Sequence, residues 1–329
     1  MTLPILPGAP WLIAHRSMLG INRPYKITLN GKDYVLWQTS TGQIYALDNC
    51  CPHRQAQLSS GWINRDRATI TCPFHALEFN GAGCKVTDGV AKGSPAVAVL
   101  DLVIEEDFIW TYGGHPPQLP IPKLNQQLRD GYEWVCAAPK SSARTPFVNA
   151  LRINYDYDHS IPIHNDPWQF KELNVRQYKN QGIYTWVTQD VVREENNWLD
   201  CLAHPSLMLF PTRYTNRCEH IFPSISVVHQ DILGGAVKIF ACIYPEADQQ
   251  TAFFHCLYAK TPLPWFIPLV SPFAEASLEL VLEQDKINLE QRYADRPARI
   301  RLPNDDIERH ALQLYQQWPN VALSETPAH

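Results

Sequence analysis

Two short stretches, Cys51-Pro52-His53 and Cys72-Pro73-Phe74-His75, constrain this 329-residue chain more than any other feature. The pattern is C-x-H, eighteen residues, C-x2-H, and each half lies between strand-like runs. A chain so built must hold two loops face to face, each offering one thiol and one imidazole. A Cys51–Cys72 disulfide would leave both histidines without a role. The nine cysteines are also an odd number that cannot all pair within the chain, and cytosolic thiols stay reduced. A tetrahedral zinc site can use two cysteines and two histidines, but its usual spacing groups like with like. The remaining reading is a [2Fe–2S] centre in which Cys51 and Cys72 bind one iron and His53 and His75 the other. Imidazoles carry less negative charge than thiolates, which raises the potential above that of an all-cysteine cluster. Cys136, Cys201, Cys218, Cys242 and Cys256 stand in apolar or strand-like surroundings and read as small buried hydrophobes. Cys50 falls outside the ligand register.

The flanks are rich in β-signals. YKITLNGKDYVLWQTSTGQIYALDN gives two alternating runs around Asn30-Gly31, then a turn at Thr41-Gly42. Further strand-like runs cover Ala68 to Thr71, Ala96 to Ile104 and Phe108 to Tyr112. The proline-rich HPPQLPIPK, His115 to Lys123, marks a seam. Beyond it, strands are expected at Tyr184 to Val192, Ile225 to Gln230, Val237 to Tyr244 and Ala252 to Tyr258. Two helices close the chain. One runs from about Phe273 to Tyr293. The other opens at Asn304, a good N-cap residue, and places Ile307, Ala311, Leu314 and Trp318 on one face. The whole reads as α+β, with an all-β domain over 1–118 and a second domain over 119–329 in which a helix lies on an antiparallel sheet.

CPHRQAQLSSG and CPFHALEFNGAGC resemble the two cluster loops of the Rieske non-heme iron oxygenases, the dicamba monooxygenase-like and aromatic-ring-hydroxylating members in particular. The second loop departs from the family's pattern in carrying Ala76 where those members have glycine. Respiratory-type Rieske proteins have a cysteine where this chain has Phe74, so the oxygenase type is the better match.

A second cluster of ligand types lies in INYDYDHSIPIHND, Ile153 to Asp166. On an unbroken helix His159 and His164 would point ~140° apart, at ~100° per residue. Pro162 between them is expected to break the helix and let the imidazoles converge. Asp156, three residues before His159, would share its face. In SLELVLEQDKINLEQR, Leu278, Val281, Leu282, Asp285 and Leu289 share one helix face. Asp285 is therefore the carboxylate on the apolar stripe, where an ionised group is costly without a cation or donors. A salt bridge to an Arg or Lys would satisfy it; so would a metal held by two histidines and one carboxylate.

EQDKINLEQR resembles the carboxylate-bearing helix of the same family. The resemblance then implies a mononuclear iron held by His159, His164 and Asp285, and a domain of helix-grip type. It further implies that Asp156 bridges this iron to a cluster histidine of a neighbouring subunit in a homotrimer. Asp158, adjacent to His159, competes for that role, and Ile153 stands where many members have asparagine. The implied activity is O2-dependent hydroxylation, or O- or N-demethylation, of a small aromatic or cyclic substrate. Its electrons would come ultimately from NAD(P)H through a ferredoxin or flavin reductase. A chlorophyll-type pigment is an alternative substrate, although the C-x2-C near the C-terminus of some such relatives is absent. A bare electron carrier is the alternative of another class, and leaves His159, His164 and Asp285 without a job.

Charge and length bound the remaining options. A formal net charge of -5 with mixed signs argues against a nucleic-acid partner. There is no uninterrupted apolar run of about 18 residues, so no membrane span is expected. MTLPILPGAPWLIAH lacks the basic, apolar, small order of a signal peptide, so a cytoplasmic location is expected. The apolar PLPWFIPLVSPF, Pro262 to Phe273, could wall or gate a pocket through Trp265 and Phe266, or could be plain core. His255 and Asn149 are candidates to approach a ligand.

Overall fold

The computed structural model describes residues 4–128, 130–195, 197–292 and 299–320. They form two compact units: one runs through Gln118 and includes Pro245–Asp248, and the other takes in the remaining residues from Leu119 on.

The first unit is built from three antiparallel sheets. Tyr25–Leu29 and Lys32–Gln38 form a hairpin whose turn residues, Asn30 and Gly31, both have positive φ (50° and 78°). That is the backbone a two-residue turn needs to match strand twist, and Asn-Gly supplies it cheaply. Ile44–Asp48 completes this sheet. A second sheet orders Trp11–His15, Phe108–Thr111 and Val103–Glu105. The run expected from Ala96 to Ile104 is a strand only at its end. Conversely, Trp11–His15 is a fully buried strand inside the segment read only for signal-peptide character. The third sheet, of five short strands from Trp62–Asn64 to Val90–Lys92, carries the second ligand loop between Thr69–Thr71 and Glu78–Phe79. Val35, Trp37, Leu47, Leu58, Ile70 and Phe79 pack into one buried cluster that includes Cys51 and Cys72. The loops thus rest on a close-packed core, which fixes their backbones.

The second unit is an eight-stranded antiparallel sheet. Its order is Glu133–Ala137, Gln250–Lys260, Gly235–Ala247, Ile225–Ile232, Arg213–Ile221, Tyr184–Arg193, Phe170–Gln181, with Ser141–Ala143 also paired to Gln250–Lys260. Among the described residues, five α-helices accompany it: α1 Phe147–Tyr155, α2 Ser160–Trp168, α3 Trp198–Ala203, α4 Ile267–Glu290 and α5 Asp305–Gln316. α4 lies against Glu133–Ala137, Ser141–Ala143 and Gln250–Lys260, and α1 packs on α5. This is the helix-on-sheet arrangement expected from the sequence. α4 starts six residues earlier than Phe273, and its expected end at Tyr293 lies outside the described residues. The buried residues of α5 are Ile307, Ala311 and Leu314. Its N-cap position is Asn304, but that side chain caps nothing; it donates to Asp158 Oδ1 at 2.7 Å. The stretch Pro264–Glu290 also has a mean hydropathy of 1.4 over an 18-residue window, long and apolar enough by length and composition to cross a membrane. No uninterrupted apolar run of that length is present, but the first charged residue of this stretch is Glu275, so its N-terminal part is uncharged.

Candidate functional site

The two ligand loops of the first unit repeat one backbone design. Cys51 N donates to Ala56 O at 2.9 Å and Gln55 N to Cys51 O at 2.8 Å; Cys72 N donates to Leu77 O at 2.8 Å and Ala76 N to Cys72 O at 3.1 Å. At the same place in each loop one residue turns left-handed, Gln55 at φ 58° and Ala76 at φ 53°. The glycine of the resembling proteins would meet this demand without strain, whereas alanine meets it at a cost. Gly61 closes the first loop against the strand that leads into the second: a Cβ there would lie 1.9 Å from Thr71 O.

Cys51 and Cys72 are each 1% exposed, and all nine cysteines are free, so the disulfide reading is excluded. Burial pushes the Cys51 thiol up, and neighbouring Cys72 adds to it. Two adjacent thiolates in such a place need a cationic partner. His53 and His75 occupy the exposed side, with their Nδ1 atoms 3.2 Å apart. Two nitrogens so spaced suit a single metal ion bonded at ~2 Å to each. The donor set, two buried sulfurs on the core side and two nitrogens on the solvent side, fits a two-iron cluster with split ligation. Cys50 is exposed and its amide bonds to Asp48 Oδ1, apart from the ligands.

In the second unit, His159, His164 and Asp285 offer ligand atoms that all lie within 4.8 Å of one another. The expected mechanism of convergence needs correction. The chain breaks before Pro162: α1 ends at Tyr155, and Pro162 sits in the first turn of α2, where its missing N–H is harmless. His159 is the residue before α2, and His164 has non-helical φ/ψ (−104°, 16°) at a kink within it. The two imidazoles therefore converge because both sit at irregular backbone.

Each histidine is oriented through Nδ1. His159 Nδ1 faces Asp156 O at 2.5 Å and His164 Nδ1 faces Gln284 Oε1 at 2.9 Å. Gln284 in turn donates from Nε2 to Asp166 O at 2.8 Å, so its oxygen faces the imidazole. Both rings thus carry the proton on Nδ1 and present Nε2 as a lone pair, as a metal ligand requires. Asp285 Oδ1 lies 3.1 Å from His164 Nε2 and 3.7 Å from His159 Nε2. It is also a buried oxygen with no well-directed hydrogen bond, the state of a carboxylate that awaits a cation. Burial alone would lower the His164 pKa, but the nearby Asp285 carboxylate outweighs it and raises it. Burial would likewise raise Asp285, but His164 and His159 hold it below the carboxylate range. Burial lowers His159. These opposed shifts mark a cluster that shares charge and fits a divalent ion.

Asp156 and Asp158 separate clearly. Asp158 binds Asn304 through its backbone N at 3.2 Å and its side chain at 2.7 Å, tying α5 down. Asp156 stays beside His159: its Oδ1 accepts from the backbone N of Asp158 at 3.0 Å and of His159 at 3.2 Å, while Oδ2 lies 3.9 Å from Arg292. The link is a turn cap rather than a shared helix face. His255 is buried, and burial depresses its pKa to about 4. Neither His255 nor Asn149 lines the cavity at His164. Sequence reasoning missed Gln284, whose signal was its place one residue before Asp285.

Comparison with known proteins now adds to this geometry. The Rieske [2Fe-2S] domain family matches residues 10–100. The first unit is therefore a Rieske iron-sulfur domain. A 3-ketosteroid-9-alpha-monooxygenase oxygenase component from Rhodococcus rhodochrous is 30% identical over 214 residues, covering 59% of this chain and 55% of that protein. The 4beta-methylsterol monooxygenase of Methylococcus capsulatus is 24% identical over 162 residues, covering 46% of this chain and 43% of its own length. The chain thus matches about half the length of these curated relatives. The structure of dicamba monooxygenase bound to 3,6-dichlorosalicylic acid superposes with a TM-score of 0.76 over 96% of this chain and 98% of that one, at 17% identity. At that identity the likeness speaks for the fold. The domain match, these relatives and the shared fold all liken the chain to the Rieske non-heme iron oxygenases.

Proposed function

We propose that this protein is the terminal oxygenase of a multicomponent system that hydroxylates, or O- or N-demethylates, a small cyclic organic substrate. The observation that carries the reading is the triad: two imidazoles presenting Nε2 and one buried, poorly satisfied carboxylate, all within 4.8 Å. An electron carrier would have no use for it. When bound, the cluster and the iron supply one-electron transfer and reductive activation of O2, which no side chain can perform.

The chain's own residues have separate tasks. Cys51, Cys72, His53 and His75 would hold the cluster, and His159, His164 and Asp285 would hold the iron, a donor set of two imidazoles and one carboxylate suited to O2 chemistry. Gln284 and the Asp156 carbonyl keep both imidazoles in the ligating tautomer. The Asp156 carboxylate positions the approach of a cluster histidine from a neighbouring copy in a homotrimer. Electrons would arrive ultimately from NAD(P)H through a ferredoxin or flavin reductase. A cytoplasmic location is part of the same proposal.

The test is substrate-dependent O2 consumption with a surrogate reductase, alongside iron analysis. Asp285→Ala should lose turnover and fall from three irons per chain to two, while the Rieske visible absorption persists. Asp156→Asn should keep all iron yet reoxidise its reduced cluster slowly in the presence of substrate and O2. Full activity in Asp285→Ala would sink the assignment.

A further inference from the structure

Two adjoining cavities lie in the second unit. The first, of 210 Å³, is lined by His164 and by Val281 and Leu278, one and two turns before Asp285 on α4. The second, of 510 Å³, shares with it the wall of Ser206, Leu209, Ile232, Val237, Leu257 and Ala274. Its rim carries the exposed apolar residues Met208, Leu233, Leu263 and Leu269. No Lys, Arg, Asp or Glu is among the described residues lining either cavity. An ionised ligand would be desolvated there without a countercharge.

Two groups of polar side chains stand out in the metal-side cavity. Ser206 and Ser277 bond to each other at 2.7 Å, and Ser277 donates to Phe273 O at 2.9 Å, so this pair is internally satisfied. The other group is a ladder of amides. Gln189, Asn216 and Gln230 are direct neighbours in register on three adjacent strands, so their side chains share one sheet face. Gln230 Nε2 donates to Asn216 Oδ1 at 2.9 Å, and Asn216 Nδ2 to Gln189 Oε1 at 3.2 Å. This direction leaves Gln189 Nε2 as the terminal donor. Gln189 is 4% exposed, its Nε2 finds no acceptor among the described residues, and all three amides line the cavity. A buried donor left unmade is costly, and a ligand oxygen in the cavity would satisfy it.

We propose that Gln189 is a specificity-determining residue that donates from Nε2 to an oxygen of the substrate, and that this substrate is uncharged, elongated and mainly apolar. An apolar cavity of about 150 Å³ takes up benzene, so the metal-side cavity has room for little more than one ring. A longer molecule continues into the second cavity, whose apolar rim is its way in. A small aromatic acid would leave most of this surface unused and meet no cation. The proposal rests on the triad being the oxygenating centre.

The test measures binding without turnover, by tryptophan fluorescence on the oxidised, iron-loaded full chain with no electron donor. Three probes are compared: a tetracyclic 3-ketosteroid, the corresponding oxygen-free hydrocarbon, and 3,6-dichlorosalicylate. The ketone should bind about tenfold more tightly than the hydrocarbon, as expected for one added hydrogen bond, and the salicylate more weakly than the ketone. Gln189→Leu and Gln189→Met should both abolish the ketone's advantage. Met keeps the length of the side chain and carries no N–H or O–H donor, so it decides the matter if the Leu variant does not fold. A ketone advantage that survives in Gln189→Met, tighter binding of the salicylate, or no binding of the ketone would overturn the proposal. Iron retained with full activity in Asp285→Ala would instead overturn the oxygenating-centre reading and leave the Gln189 result standing.

Discussion

Gln284 makes the sharpest test of how the triad is held. Its side chain connects His164 Nδ1, at 2.9 Å, to the Asp166 carbonyl, at 2.8 Å, across the kink of α2. Gln284→Leu keeps the approximate volume and removes both links. The His164 side chain is only 11% exposed, so its Nδ1–H would lose its acceptor in a largely dry place. That costs ~1–3 kcal/mol, and the ring becomes free to rotate or to change tautomer. Loss of an outer partner of a metal-bound histidine usually weakens metal binding 10–100-fold, or ~1.4–2.7 kcal/mol. Fe(II) titration against a competing chelator should therefore show a dissociation constant raised by about that factor, with the Rieske absorption unchanged as an internal control. Gln284→Glu retains an acceptor at His164 and should bind Fe(II) at least as well as the wild type. The reasoning is refuted if the Leu variant binds Fe(II) with wild-type affinity, because the Nδ1 contact would then be incidental.

Two further outcomes follow from local geometry and burial. Ala76 sits at φ 53°, a left-handed position that costs an L-residue roughly 1–2 kcal/mol. Ala76→Gly gives back about 0.4–1 kcal/mol through the freer unfolded chain, so urea unfolding of the first unit should still move toward higher stability. A lower midpoint would contradict the strain argument. Burial holds His15 near pKa about 4 and His220 about 3. Their folded values lie below the unfolded 6.5, so the unfolded chain binds more protons as pH falls, and stability is lost progressively below about pH 6.5. By pH 5 each contributes a loss of roughly 2 kcal/mol, in the first unit through His15 and in the second through His220. A stability profile that stays flat from pH 7.5 to 5, unaltered by His220→Gln, would contradict this.

What the sequence revealed and what it hid divide along physical lines. The cluster loops were legible because each ligand pair lies within a few residues, and the loop backbone closes on itself through hydrogen bonds from Cys51 to Ala56 and from Cys72 to Leu77. Asp285 was legible as a charge on an apolar stripe, and Leu278, Leu282 and Leu289 are indeed buried beside it. The strand Phe170–Gln181 was not, because most of its residues are exposed and no two-residue alternation survives. Pro162 misled because its effect depends on where the helix starts, which the turn-capping oxygen of Asp156 decides. Gln189, Asn216 and Gln230 are unremarkable in sequence; only the register of three strands makes them neighbours.

The triad shows why this fold suits a metal held on one face. A continuous helix cannot aim two histidines five residues apart at one point, and a single strand cannot bring a distant carboxylate between them. The chain solves both problems by placing His159 before a helix and His164 at its kink, then laying the long α4 against the sheet so that Asp285 falls beside both rings. The same helix lines the cavity with Val281 and Leu278, one and two turns earlier. A lone buried carboxylate beside two neutral imidazoles is unfavourable without a cation. The surrounding uncharged wall sharpens that penalty, since a low local dielectric strengthens whatever charge pairing is available. The apolar lining that would select an uncharged ligand is therefore also what makes the three ligands seek a metal, so affinity for the ion and selectivity for the substrate arise from one feature of the packing.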